Sequence, residues 1–181
     1  MTTRTIAAVL VALFLAACGS GNDDLATSDT AQAATVQGGE APVEQYASLI
    51  AGHEGEWRDS VENIHDTCAD STAADACAAA YRTASEQAET IRTAISAAHD
   101  PACQASARCS GYVGETPAEI APLVADIEAA ATDYSAAFES WDATSCTNPL
   151  DWHCGTDEAG AMFTALGALT RQFDVWKAHS G

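Results

Sequence analysis

The sequence predicts an all-α fold: an up-down-up-down four-helix bundle whose inter-helix loops are stapled by disulfides. Three observations carry this. Apolar and small residues recur at steps of three and four in four long stretches after residue 42. No stretch alternates apolar and polar residues for long enough to make a strand. Six cysteines fall in three close couples, each in or beside a break between the periodic stretches.

The first helix is expected from Val43, with Tyr46, Ile50, Trp57, Val61, Ile64 and Cys68 along one face and His53 filling the longest gap. Gly52 and Gly55 weaken it, because glycine loses more backbone freedom in a helix than any other residue. The second is expected after "STAAD", where Ser71 or Thr72 is placed to cap the first turn. Its stripe is Cys77, Tyr81, Ala84, Ala88, Ile91, Ile95 and Ala98. "HDPAC" stops it, since Pro101 disfavours the helical conformation at Asp100. In the third, "TPAE" gives Thr116 as cap, Pro117 in the first helical position and Glu119 reaching back as in a capping box. Ile120, Val124, Ile127, Ala131, Tyr134, Phe138 and Trp141 follow on one face. The fourth begins with Thr156 as cap and Asp157 and Glu158 at the positive end of the helix dipole. Met162, Phe163, Leu166, Leu169, Phe173 and Trp176 form its stripe.

Each helix should be about 35–43 Å long at the usual rise per residue. Short connections make consecutive helices antiparallel neighbours. The alanines of the second helix then face the aromatic side chains of the third and fourth, so that large and small volumes alternate across the core.

Of seven cysteines, Cys18 stands fifty residues before the next. The remaining six, Cys68, Cys77, Cys103, Cys109, Cys146 and Cys154, are even in number, as a disulfide framework requires. Six cysteines allow fifteen connectivities. Their spacing favours the local pairs Cys68–Cys77, Cys103–Cys109 and Cys146–Cys154, each closing a small loop worth about 2–3 kcal/mol in the chain-entropy picture. No CxxC is present for a zinc thiolate or redox pair.

Residues 1–17 have the parts of an export signal: Arg4, an apolar run from Ile6 to Leu15, and the small residues Ala16 and Ala17. The run is too short to span a bilayer. Leu15-Ala16-Ala17-Cys18 resembles the lipobox of bacterial lipoproteins. That resemblance covers about twenty residues. It implies that the leader is removed and that Cys18, as the new first residue, carries a diacylglyceryl group with fatty chains such as palmitate. Two chains matter, because at about 0.8 kcal/mol per buried methylene one chain holds only marginally. The alternative is an ordinary secretory signal that leaves Cys18 as a stray thiol. Residues 18–42 are rich in Gly, Ser, Thr, Asp and Gln and bury too little apolar surface to order themselves, so they are expected to be an acidic tether reaching about 25–30 Å. Residues 43–181 form the helical domain. The resemblance thus implies an extracytoplasmic protein held to a bacterial membrane by lipid.

All 26 acidic residues lie beyond the leader, and losing Arg4 with it takes the formal charge from −19 to −20. Such a field repels phosphate backbones and anionic lipid surfaces, which argues against nucleic-acid binding. It would welcome a basic partner or a cation, but the plainer reading is a well-solvated acidic surface, and charge alone chooses no partner.

The chemistry-bearing motifs are sparse. A di-iron bundle needs a Glu-x-x-His pair on each of two helices, and only Glu62 and His65 supply one. In an up-down bundle the end of the first helix meets the start of the fourth. Glu62, His65 and Asp66 would then approach Asp151 and His153, a donor set suited to zinc or another divalent ion. The plainer reading pairs His65 with a local carboxylate and leaves His153 exposed. "HEGEW" has Trp57 where the metalloprotease pattern HExxH needs its second histidine. There is neither GxSxG nor a P-loop. Trp152, between Asp151 and His153 in the last cysteine loop, is the best exposed contact candidate. The expected function is a non-enzymatic interaction or accessory module of the cell envelope, contacting another envelope protein through the end bearing Cys146 and Cys154. The alternative is capture of a small ligand or a divalent metal; no other cofactor is expected.

Overall fold

In the computed structural model, which describes residues 43–69, 73–106, 111–151, 153 and 155–180, each of the four periodic stretches is a helix. All of these residues lie in the unit Gln37–Gly181. The elements are α1 (Val43–Cys68), α2 (Ala74–His99), α3 (Pro101–Gln104), α4 (Ala121–Asp142) and α5 (Thr156–Ser180). The described residues contain no β-strand. The short α3 is an element that the periodicity does not announce, because four residues are too few to show a stripe. Asp100 creates it: its extended backbone ends α2, and its carboxylate accepts the Ala102 N–H at 2.8 Å with Pro101 in the first position.

Helix starts differ from expectation at two places. The residue before α2 is Ala73, which offers no side-chain cap; Ser71 and Thr72 lie outside the described residues. α4 begins at Ala121, not at Pro117. The Thr116 hydroxyl is spent elsewhere, donating to the Tyr46 hydroxyl at 3.1 Å, and so does not cap the helix. The proline of the first turn is Pro122, while Pro117 is buried and its carbonyl accepts the N–H groups of Ile120 and Ala121.

α2 packs extensively against α1 and α4, and α4 against α5, whereas α1 and α5 touch more lightly. The reason is side-chain size. Ala84, Ala88 and Ala98 of α2 and Ala131 of α4 are fully buried and let backbones approach, and larger residues such as Trp57, Tyr134, Ile91 and Leu169 fill the remaining volume. Trp57 is the node of this core. Its ring meets Tyr134 of α4 edge-on at 5.3 Å, and its Nε1–H donates to Thr170 Oγ1 of α5 at 3.1 Å. The Tyr134 hydroxyl in turn donates to the Tyr81 carbonyl of α2. One indole and one phenol therefore link all four long helices.

Polar ties cross the rims. Arg58 of α1 donates to Asp174 of α5 at 2.8 Å and to Glu54 at 2.7 Å, so its guanidinium pKa is raised, first by Asp174 and then by Glu54. Arg82 of α2 pairs with Asp142 of α4 at 3.0 Å, and Gln87 of α2 donates to Glu56 of α1. Exposed pairs of this kind contribute little each.

A disulfide joins Cys68 at the end of α1 to Cys77 in the first turns of α2, as the spacing predicts. Cys103 and Cys146 are also disulfide-bonded. The expected partners Cys109 and Cys154 lie outside the described residues. No described helix is long and apolar enough to cross a membrane. Cys18, the leader and the tether lie outside the described residues.

Candidate functional site

The connection between α4 and α5 is built by local hydrogen bonds. The Thr144 hydroxyl donates to the Trp141 carbonyl, which finishes α4, and Ser145 turns the chain with φ of 59°. Asn148 and Asp151 then act as turn formers: Asn148 Oδ1 accepts the Leu150 N–H and Asp151 Oδ1 accepts the His153 N–H, both at 2.9 Å. Gly155 closes the connection at φ of 59°, where a Cβ would stand 3.0 Å from Thr144 Oγ1 and 3.2 Å from Cys146 Sγ. Glycine is favoured there, because the left-handed backbone strains most side chains and a Cβ would crowd Thr144 and Cys146. Its carbonyl accepts the Ala159 N–H and starts α5.

This connection leaves apolar surface uncovered. Leu150 is 49% exposed and Phe163 of α5 is 36% exposed. Together with Pro149, Asp151, Ala159 and Gly160 they line a groove of about 330 Å³. The floor is firm, since Pro149 and Ala159 are buried and the Phe163 ring leans on Tyr81 of α2 at 5.7 Å. Burial raises the Tyr81 phenol pKa, so this support is a neutral, aromatic one. Gly160 has nothing within 4 Å of the position a Cβ would take, so it opens the groove toward solvent. Exposed Asp151 lines it, and Asp157 (exposed) and Glu158 (half-buried) follow the lining residue Thr156 in the first turn of α5; among the described residues no Lys or Arg lines the groove.

Phe163 was expected in the stripe of its helix. It is excluded because its neighbour Met162 takes the core position, and adjacent helical residues point about 100° apart. Ala159 and Ala165 complete the buried face in its place. Leu150 gave no signal, being one apolar residue in a polar, cysteine-bounded segment. The clue in the sequence was the adjacent pair of large apolar residues, Met162 and Phe163, only one of which a core stripe accommodates. Trp152, the contact residue expected from sequence, lies outside the described residues.

The residues considered for a divalent metal are all exposed. Glu62, His65 and Asp66 line a cleft of about 380 Å³ together with Arg58, Val61 and Thr170. His65 Nδ1 is 3.5 Å from Asp66 Oδ1, the local partnership that sequence also allows. The guanidinium in the same cleft opposes a cation. Asp151 is engaged with the His153 backbone, and both residues stand in the α4–α5 connection. Among the described residues, no group of three or more His, Cys, Asp or Glu side chains is arranged to hold a metal ion.

Comparison with protein-family models, with curated proteins and with solved structures returns no match to this chain.

Proposed function

We propose that this protein is a membrane-anchored, extracytoplasmic lipoprotein whose helical domain is a non-enzymatic interaction module of the cell envelope. Its leader, residues 1–17, is removed at the lipobox-like Leu15-Ala16-Ala17-Cys18. Cys18 carries the lipid, and residues 18–42 tether the domain. The four long helices run up-down-up-down, a reading supported by the Cys68–Cys77 bridge and by ties such as Arg82 to Asp142, which join the end of one helix to the start of another. The cysteines outside the described residues complete the bridges Cys103–Cys109 and Cys146–Cys154.

The observation that carries the interaction role is the apolar groove of Leu150 and Phe163 on a connection held by a disulfide-bonded cysteine. Large apolar side chains rigidly presented at the surface, with a polar rim, are the usual anatomy of a protein contact. Trp152, in the same connection, adds a third large side chain to the contact.

Two measurements test this reading. Mass spectrometry of the mature protein from its native host should find an N-terminal Cys18 bearing diacylglycerol. An unmodified N-terminus at any other residue overturns the anchor. Photo-crosslinking in intact cells from positions 150 and 163 should trap an envelope protein, and failure of both to trap one overturns the contact.

A further inference from the structure

Resting on the reading of the α4–α5 groove as a protein contact, we infer that its partner is a basic amphipathic segment: one or two large apolar side chains flanked by Lys or Arg. The groove itself sets the apolar half of this requirement. Leu150 and Phe163 are the large apolar side chains exposed on it, and the floor of Pro149 and Ala159 is closed. A space of about 330 Å³ accepts side chains of a peptide segment and is at the lower limit for a drug-sized ligand.

Charge sets the other half. Asp151 lines the groove, Asp157 and Glu158 follow the lining residue Thr156 in the first turn of α5, and the positive end of the α5 dipole is already complemented by the last two. Arg82, next in sequence to the Tyr81 that supports Phe163, is paired with Asp142 across the α2–α4 rim. A cation brought by the partner would therefore meet Asp151 and the carboxylates that start α5, and an anion would meet repulsion. The same field acts at long range: a formal charge of −19 attracts basic segments and repels both anionic lipid surfaces and a second copy of this chain. Like charge facing like charge at a rim is how an interface rejects the wrong partner.

The test uses the full-length protein in its native host, with benzoylphenylalanine in place of Leu150 or Phe163, or of the exposed Thr93 on α2 as control. The position-150 probe sits in a connection, and the position-163 probe keeps an aromatic ring, so folding is checked by the intact Cys68–Cys77 bridge. Trapped peptides are sequenced. The expected result is an adduct from 150 and 163 but not from 93, mapping to a segment with Lys or Arg beside the trapped apolar residue. Converting these three carboxylates to amides (Asp151→Asn, Asp157→Asn, Glu158→Gln) should lower its yield on the order of three- to tenfold. An adduct whose segment lacks flanking cations, or a yield indifferent to the amides, overturns the charge requirement and leaves the contact reading standing. Adducts to lipid or to a second copy overturn the inferred partner. Yields at 150 and 163 no greater than at 93 overturn the inference and the contact reading together.

Discussion

The connection from α2 to α4 and the connection from α4 to α5 each contain a disulfide-bonded cysteine, Cys103 and Cys146, but they are finished in opposite ways. The first is sealed onto the helices. Val113 and Gly114 both donate their N–H groups to the Ala98 carbonyl, and the buried Tyr46 hydroxyl donates to the Gly114 carbonyl at 2.9 Å across 68 residues. Thr116 locks that hydroxyl, and Pro117 and Ile120 are buried behind it. In the second connection, bonds spanning two or three residues shape the turns, Cys146 and Pro149 are buried, and Leu150 is displayed to solvent. A disulfide alone does not decide whether a connection joins the core. Long-range hydrogen bonds and buried side chains do, and a connection pinned at Cys146 and Pro149 can still present Leu150 outward.

The sharpest way to break the contrast is Tyr46→Ala, which removes both the fully buried ring and the tie to Gly114. We expect a loss of about 3–5 kcal/mol, read by denaturant unfolding. Tyr46→Phe keeps the ring but leaves a buried carbonyl without its donor, and should cost about 1–3 kcal/mol.

Removing the Cys68–Cys77 bridge by Cys68→Ser with Cys77→Ser should cost about 2–3 kcal/mol, since it closes a short loop. The core should persist, because Trp57 and Tyr134 still join all four long helices. An unchanged far-UV spectrum with a lowered melting temperature is the expected readout.

Alkaline titration should distinguish buried phenols from the exposed site. Burial raises the pKa of Tyr134 most strongly, and those of Tyr46 and Tyr81 as well, above the ordinary value of 10.0. The unfolded chain therefore releases these protons first as pH rises. Stability is fully present below pH 10 and falls above it, by up to about 1.4 kcal/mol per pH unit for each such phenol. Tyrosinate absorbance should appear together with loss of helix. Absorbance rising well before unfolding would mean that these rings are open to solvent.

Within the α4–α5 connection, Gly155→Ala should cost about 1–3 kcal/mol, because a left-handed backbone strains alanine and its Cβ would press on the Thr144 and Cys146 side chains. Leu150→Ser should change stability by less than about 0.5 kcal/mol while abolishing partner crosslinking from position 163. Equal thermal midpoints with unequal crosslinking would mark Leu150 as a contact residue and not a packing one.

Much of the fold is legible residue by residue. Every stripe position of α2, from Cys77 to Ala98, is buried, as are Ile120 to Trp141 in the third stretch. Periodicity succeeds there because a helix with one apolar face has one way to hide it. It fails where a side chain has a distant alternative. Thr116 reads as a helix cap from its neighbours, yet it donates to Tyr46, seventy residues away, and the helix starts five residues later. The groove is legible only in part. The acidic residues at the start of α5 are visible in the sequence, whereas the exposure of Phe163 depends on Met162 winning the same core position.

The sequence by itself determined the four long helices and the break at Pro101, and it favoured the pairing of Cys68 with Cys77, because each rests on spacing over a few residues. Only the tertiary structure decided which connection is absorbed into the core and which holds Leu150 and Phe163 to solvent. That choice is a competition among distant side chains for the same buried volume and the same hydrogen-bond donors, and no local pattern records its outcome.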